Sequence, residues 1–145
     1  MYKVNGGCHC GNIRLELELT SAPATYRPRA CDCDFCRKHA AAYISDPGGS
    51  LVIRIRDSRE LRRYRQGAGL AEYLFCASCG VFVGVVYSDE GKLYGAVNAR
   101  AVGTGEAFGP EQVVSPKQLS ADEKSRRWRD IWFAKVEVQA ASASK

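Results

Sequence analysis

The chain has 145 residues, 46% hydrophobic and 26% charged, which is enough to bury the core of one ordinary domain. Its net charge of +5 is moderate. Two stretches, 54–65 and 126–129, are rich in arginine, and acidic residues lie within or around both. We therefore interpret these stretches as solvated faces rather than a nucleic-acid surface. No apolar run approaches the roughly 18 residues that span a bilayer, and the polar start lacks the apolar core of a signal peptide. We therefore expect a soluble, cytoplasmic protein with no membrane partner.

The predicted elements are mainly strands. Residues 13–19 alternate apolar and charged side chains without a break, which is typical of a strand with one buried face. Shorter runs predict strands at 25–27, 43–45, 51–55, 60–65 and 72–75, although 60–65 also fits one helical turn. The most apolar run, 81–87, predicts the central strand, and a hairpin turn at 89–91 leads into a strand at 92–97.

The remaining third of the chain contains one predicted helix. Residues 103–110 read as loop, and Ser120 with Glu123 three residues later forms a capping-box pattern. Trp128, Ile131 and Trp132 follow at helical spacing. We predict a single mainly β domain over residues 1–145, with a core at about 3–135, antiparallel sheets, one C-terminal helix and a flexible tail at 140–145.

All seven cysteines lie in three tight clusters, which are Cys8-His9-Cys10, Cys31-Asp32-Cys33-Asp34-Phe35-Cys36 and Cys76-Ala77-Ser78-Cys79. In a reducing compartment such clusters bind metal or do redox chemistry more often than they form disulfides. Four thiolates close a tetrahedral zinc site and three leave one position open, so seven cysteines divide naturally into four and three. Iron–sulfur ligation, a thioredoxin-like pair and simple burial remain as alternatives.

The first and third clusters are expected to form one structural zinc site. Each cluster immediately precedes a predicted strand, so pairing Cys8 and Cys10 with Cys76 and Cys79 ties the start of the chain to its middle. Gly80 can adopt a positive φ that turns backbone amides towards a bound sulfur. His9 lies between two ligands and should point outward.

The middle cluster is the candidate reactive site. Its three sulfurs can surround one zinc ion, and an open fourth position can accept water or a thiol, which zinc keeps as a nucleophilic thiolate at neutral pH. The candidates for a protein ligand at that position are Asp32, Asp34 and His39. His39, three residues beyond Cys36, is the strongest of them, and a surface role is equally compatible with its position. A three-ligand site loses zinc more readily than a four-ligand site, so the second ion is expected to be the weaker one.

The order and spacing of these motifs resemble the glutathione-dependent formaldehyde-activating enzyme family, also called the centromere-protein-V-like family, over roughly residues 3 to 100. The resemblance rests on the segments 7–11, 31–37 and 75–80, which read GCHCG, CDCDFCR and FCASCG. It implies a mainly β, tent-like fold in which a structural zinc binds the first and third elements. It also implies a second, catalytic zinc at Cys31, Cys33 and Cys36.

The resemblance further implies a carbon–sulfur lyase that joins glutathione and formaldehyde into S-hydroxymethylglutathione. The thiolate would add to the aldehyde carbon, and a nearby donor would protonate the alkoxide. Family members often have a histidine, a small Thr-Gly or Ser-Gly pair and an arginine at three places where this chain has Asp32, 39–41 (His-Ala-Ala) and Tyr73. An aspartate in place of the histidine and a tyrosine in place of the arginine both reduce the local attraction for anionic glutathione. The residues that could compensate are Arg37, Lys38 and Arg100.

Three functions are therefore open at the level of sequence. The first is a zinc-dependent lyase acting on glutathione, or a similar small thiol, and a small aldehyde. The second is a non-catalytic zinc-stabilised module that binds a protein or anionic partner through its arginines. The third, a redox or metal-storage protein, would use the middle cysteines.

Overall fold

The computed structural model describes residues 1–103 and 108–140, so the predicted loop at 103–110 falls partly, and the predicted tail almost wholly, outside it. Two α-helices occur in the described ranges, α1 (Asp34–His39) and α2 (Ala121–Ile131). The strands, in chain order, are β1 (Tyr2–Gly7), β2 (Ile13–Leu19), β3 (Arg29–Cys31), β4 (Ala42–Ile44), β5 (Ser50–Ile55), β6 (Leu61–Tyr64), β7 (Glu72–Cys76), β8 (Phe82–Asp89), β9 (Lys92–Asn98), β10 (Gln112–Val114) and β11 (Val136–Ala140).

The strands form two sheets, which confirms the mainly β prediction. One sheet has the order β1-β2-β5-β11 and the other has the order β10-β3-β4-β9-β8-β7-β6. Most strand pairs are antiparallel, as predicted, but β5 pairs with β11 and β3 pairs with β10 in parallel. In each of these pairs a long stretch of chain separates the two strands, which gives the crossover that parallel pairing requires.

The alternating segment at 13–19 forms β2 as predicted. Its apolar side chains, Ile13, Leu15, Leu17 and Leu19, are at most 1% exposed and pack in the main core. The register with β5 places Leu15 opposite Ile53, so apolar residues of both strands line the same buried face. Period-two alternation is a reliable signal here because one face of the sheet is buried.

The edge strand β1 was not predicted, since most of its residues are polar or glycine and half-exposed or exposed. It nevertheless connects the two sheets, because Gly6 forms an isolated bridge with Val102 beyond β9. A Cβ atom at Gly6 would lie 2.3 Å from the Ala101 carbonyl oxygen. Only glycine allows the two backbones to approach this closely.

Two local predictions near the middle cluster are corrected. The strand expected at 25–27 is absent; a 3₁₀ turn at Pro23–Thr25 precedes an extended residue, and pairing begins only at β3. The sequence prediction also contained only one helix, but α1 starts directly at the cysteine cluster. Its N-cap is Cys33, whose sulfur accepts the Cys36 amide at 3.5 Å. Six residues are too few for helical periodicity, so the sequence carried no signal for this helix.

The C-terminal helix α2 confirms the predicted capping box. The Ser120 hydroxyl accepts the Glu123 amide at 3.1 Å, and the Glu123 carboxylate accepts the Ser120 amide at 2.8 Å. Trp128 and Trp132 are buried and stack with ring centroids 4.8 Å apart. No helix in residues 1–103 or 108–140 has the length and apolar character needed to cross a bilayer.

Asp46 is a buried carboxylate that fixes the turn before β5. It is 6% exposed and accepts four hydrogen bonds: two from Thr20, through its amide (2.8 Å) and hydroxyl (2.7 Å), one from the Tyr26 hydroxyl (2.5 Å) and one from the Gly48 amide (3.0 Å). Burial opposes ionisation, but these hydrogen bonds outweigh it and hold the pKa of Asp46 below its usual value.

Replacing Asp46 by asparagine is expected to lower the free energy of unfolding by about 2–3 kcal/mol near neutral pH, because an amide cannot accept the same set of donors. Because the pKa of Asp46 is lower in the folded state, its ionised carboxylate stabilises the fold fully at pH values above the unfolded-state pKa of about 3.9. This stabilisation is lost as the pH falls through the folded-state pKa. The difference in the free energy of unfolding between wild type and variant should therefore become smaller below about pH 4. Urea unfolding at several pH values measures it, with the exposed Asp130→Asn as control; a constant gap would contradict the prediction.

Candidate metal centres and their pocket

The first and third cysteine clusters come together where the two sheets meet. Cys8 and Cys10 lie in the turn between β1 and β2, Cys76 ends β7, and Cys79 lies in the turn before β8. The four sulfurs lie within 4.8 Å of one another, with 3.7 Å between Cys8 and Cys10 and 3.5 Å between Cys10 and Cys76. Zinc–sulfur bonds of about 2.3 Å place tetrahedral sulfurs about 3.8 Å apart. The arrangement therefore fits a four-coordinate zinc ion, and His9 between the ligands is exposed.

Backbone amides support the sulfurs of this four-cysteine cluster. The Ile13 amide donates to the Cys8 sulfur at 3.2 Å, and the Cys79 amide donates to the Cys76 sulfur at 3.4 Å. Gly80 has the expected positive φ of +80°, but its own amide donates to the Cys76 carbonyl oxygen rather than to a sulfur. Burial raises the pKa of Cys79, yet hydrogen bonds, led by the Cys10 amide, outweigh it and bring the pKa to about 6. Such donors stabilise thiolates, the form in which cysteine binds metal.

The middle cluster is a separate three-sulfur site. Cys31 ends β3, Cys33 caps α1 and Cys36 lies in the first turn of that helix, and the three sulfurs lie within 4.8 Å of one another. Cys36 is 2% exposed, and its sulfur lies 3.0 Å from the Tyr43 hydroxyl on β4. Three thiols gathered at this distance fit a single zinc ion with one coordination position left for another ligand.

Hydrogen bonding differentiates the three thiols. The Cys36 thiol stabilises the ionised Cys31 sulfur and lowers the pKa of Cys31 to about 6. That same interaction, together with burial, raises the pKa of Cys36 well above its usual value. Burial raises the pKa of Tyr43 as well, so its phenol keeps its proton at neutral pH. The cluster thus favours ionisation at Cys31, whereas the Tyr43 hydroxyl lies against the Cys36 sulfur.

The predicted protein candidates for the fourth position do not join the three sulfurs. His39 is exposed, and its ring packs against Phe35 with centroids 4.7 Å apart. Asp34 is exposed at the start of α1. Asp32 Oδ2 accepts the Ser115 hydroxyl at 2.5 Å, and its buried Oδ1 has no hydrogen-bond partner among the described residues. None of the three predicted candidates therefore joins the cluster as a fourth ligand in this arrangement.

A cavity of about 280 Å³ opens beside the three sulfurs. Its wall combines cationic and aromatic side chains from distant parts of the sequence, and none of the lining residues that the structure describes is acidic. They include Arg29, Tyr43, Tyr73, Lys117, Lys124, Arg127, Trp128 and Trp132. A cavity of this size beside three potential metal ligands can hold a small molecule whose reactive end lies against the sulfurs.

Sequence reasoning missed the cations of this cavity. The predicted compensating residues lie elsewhere: Arg37 and Lys38 are exposed on α1, and Arg100 pairs with Glu111 at 2.5 Å. Instead, Arg29 precedes Cys31 by two positions on β3, so strand periodicity places both side chains on one face. That pattern could have identified Arg29 from the sequence alone. Arg127 depends on how α2 packs, which the sequence did not reveal.

The stretch 54–65 behaves as the solvated face that we predicted. Most of its arginines pair with acidic side chains at the surface: Arg54 with Glu16 (2.7 Å), Arg59 with Asp57 (3.1 Å), Arg63 with Glu72 (3.0 Å) and Arg65 with Glu72 (3.2 Å). In the second stretch, Arg129 pairs with Asp89 at 3.2 Å. These pairs leave less free positive charge for a polyanionic partner than the composition alone suggests.

The fold and these two clusters define a mainly β protein with one four-cysteine and one three-cysteine site, each arranged to hold a metal ion. The model of the glutathione-dependent formaldehyde-activating enzyme family matches residues 3–118, and the chain belongs to this family. A crystal structure of a Rhodobacter sphaeroides protein, a structural genomics target, shares 27% sequence identity with it. The similarity covers 72% of this chain and 98% of that one, with a TM-score of 0.48.

Proposed function

We propose that this protein is a zinc-dependent carbon–sulfur lyase that forms or cleaves the adduct between glutathione, or a similar small thiol, and formaldehyde or another small aldehyde. The observation that carries the proposal is the three-sulfur cluster at the wall of a cationic and aromatic cavity, in a member of a family named for this chemistry. We further propose that the whole chain forms one domain and that the protein is cytoplasmic.

The two clusters would have different roles. Cys8, Cys10, Cys76 and Cys79 would hold a structural zinc, because four thiolates fill a tetrahedral ion. Cys31, Cys33 and Cys36 would hold the second zinc, which, when bound, supplies a Lewis acid that favours the thiolate form of an incoming thiol. The surrounding residues would bind and orient the two reactants.

Tyr43 is the proposed proton donor. When the thiolate sulfur attacks the aldehyde carbon, a carbon–sulfur bond forms, the carbonyl π bond breaks and the oxygen acquires a negative charge. The Tyr43 hydroxyl faces the cluster 3.0 Å from the Cys36 sulfur and stays protonated at neutral pH, so it can give its proton to that oxygen. The proton released by the incoming thiol would restore it. Tyr73, also in the cavity wall, would help to exclude water.

The test combines metal analysis, thiol binding and adduct formation with the full chain. We expect two zinc ions per chain, a change in the cobalt–sulfur absorption of the cobalt-substituted protein on titration with glutathione, and faster S-hydroxymethylglutathione formation than in buffer, followed by NMR. Tyr43→Phe should lower the rate by about 10²-fold with thiol binding retained, whereas the exposed Tyr64→Phe should leave it unchanged. Absence of both thiol binding and rate acceleration in the zinc-loaded protein would overturn the proposal.

A further inference from the structure

The cavity beside the three cysteines contains an unusual concentration of like charge. Arg29, Lys117, Lys124 and Arg127 line it, and no carboxylate from residues 1–103 or 108–140 does. Lys117 forms an ion pair with Asp32, with 3.8 Å between its Nζ and the carboxylate Oδ2. Neither Arg29 nor Arg127 forms an ion pair with any residue in the ranges 1–103 and 108–140. Both arginines are half-buried. Holding two such cations together without an acidic partner costs free energy that a bound anion would offset.

The position of Arg29 is fixed by neutral contacts. Its guanidinium donates to the Ser45 hydroxyl at 2.7 Å, and this hydroxyl donates in turn to the Ile131 carbonyl oxygen, also at 2.7 Å. This chain of hydrogen bonds ties β3 to the last turn of α2 and leaves further guanidinium donors of Arg29 for a ligand. The arginine is thus pre-organised without being neutralised.

Helix α2 supplies another part of the wall. Lys124, Arg127 and Trp128 lie three and four positions apart and therefore share one helix face, and Trp132 continues it one turn later. The indole rings of Trp128 and Trp132 stack on each other. Trp128 also packs edge-to-face against Tyr87, with 5.2 Å between the ring centroids. All four residues lie beyond 118, outside the part of the chain that the family model matches.

We propose that Arg29 and Arg127 form a carboxylate-binding site in this cavity, and that helix α2 thereby selects an anionic thiol over a neutral one. The carboxylate of the ligand would bind the guanidinium groups, its carbon chain would lie against the two tryptophans, and its sulfur would face the three cysteines. Arginine suits this role because its planar fork binds carboxylates through two hydrogen bonds at once. The orientation of the sulfur rests on the proposed function, whereas the carboxylate site does not.

Binding can be measured without any reaction, because Trp128 and Trp132 are the two tryptophans of the sequence and both line the cavity. The zinc-loaded full chain is titrated with S-methylglutathione, which carries both carboxylates but no free thiol, and tryptophan fluorescence reports binding. We expect saturable binding to the wild type and at least about tenfold weaker binding to Arg127→Gln. Glutathione diethyl ester, with neutral ester groups, should bind the wild type weakly and respond little to the substitution. Inorganic phosphate as a competitor tests whether the site accepts other anions.

Arg126→Gln is the matched control. Arg126 is the exposed neighbour of Arg127 on α2, so its substitution removes the same charge from the same helix without changing the cavity wall. We expect less than a twofold effect on S-methylglutathione binding, and Arg127→Lys should restore part of the affinity. Circular dichroism and thermal unfolding establish that all variants are folded. Equal effects of the Arg126 and Arg127 substitutions, or equal affinity for ester and acid, would overturn the proposal.

The outcomes separate this proposal from the proposed function. If 2-mercaptoethanol, a neutral thiol, binds the cobalt-substituted protein as well as glutathione does, the carboxylate site is refuted while thiol chemistry stands. If S-methylglutathione binding depends on Arg127 but no thiol changes the cobalt–sulfur absorption, the carboxylate site stands and the lyase proposal is refuted.

Discussion

Cys76→Ser is expected to lower the free energy of unfolding by more than about 4 kcal/mol and to abolish zinc binding at the four-cysteine cluster. The residue is 1% exposed at the end of β7, and its sulfur lies 3.5 Å from that of Cys10 in the turn before β2. Because the cluster joins the two sheets, its loss should loosen the packing between them as well as the local turn. Thermal unfolding with metal analysis measures both effects.

Ser78→Ala is the matched control for this substitution. Ser78 lies in the same turn, but its side chain is exposed and donates to the Glu60 carboxylate at 2.8 Å. We expect a change below about 1 kcal/mol and an unchanged zinc content. A Cys76→Ser protein that kept its full zinc content and its unfolding temperature would show that this cluster does not stabilise the fold.

Cys33→Ser is expected to reduce the zinc content from two ions to one and to lower the rate of adduct formation by at least about 10²-fold, with the fold retained. The choice of serine follows from the structure: Cys33 is the N-cap of α1, and its sulfur accepts the Cys36 amide. Serine is a favourable N-cap, so its hydroxyl can take over this hydrogen bond while being a poor zinc ligand. Loss of function would then reflect the missing thiolate rather than a disrupted helix.

Metal analysis, glutathione titration of the cobalt-substituted protein and circular dichroism together measure the effect of Cys33→Ser. Asp34→Asn, at the exposed neighbouring position on α1, controls for changes near the cluster and should retain the second ion. Two zinc ions and unchanged thiol binding in Cys33→Ser would contradict the assignment of a reactive metal to Cys31, Cys33 and Cys36.

Strand positions were well predicted wherever one face of a strand is buried and the pattern is long. The segment 13–19 and the apolar run at 81–87 correspond to β2 and β8. The short run at 60–65, where strand was preferred to helix, also contains a strand, β6, although most of that strand is exposed. Predictions failed where the stabilising contact is distant or unusual. The edge strand β1 depends on pairing and on the close approach at Gly6, and α1 depends on a cysteine sulfur as its cap.

The sequence by itself determined the two groups of cysteines, because one- and two-residue gaps bring paired sulfurs together through local turns and seven thiols divide into four and three. It also determined the start of α2, because a capping box is a local pattern. Only the tertiary structure decided what surrounds the three sulfurs. Arg29 and Arg127 are far apart in the sequence and reach one cavity because α2 packs on the seven-stranded sheet. No local sequence pattern encodes that packing.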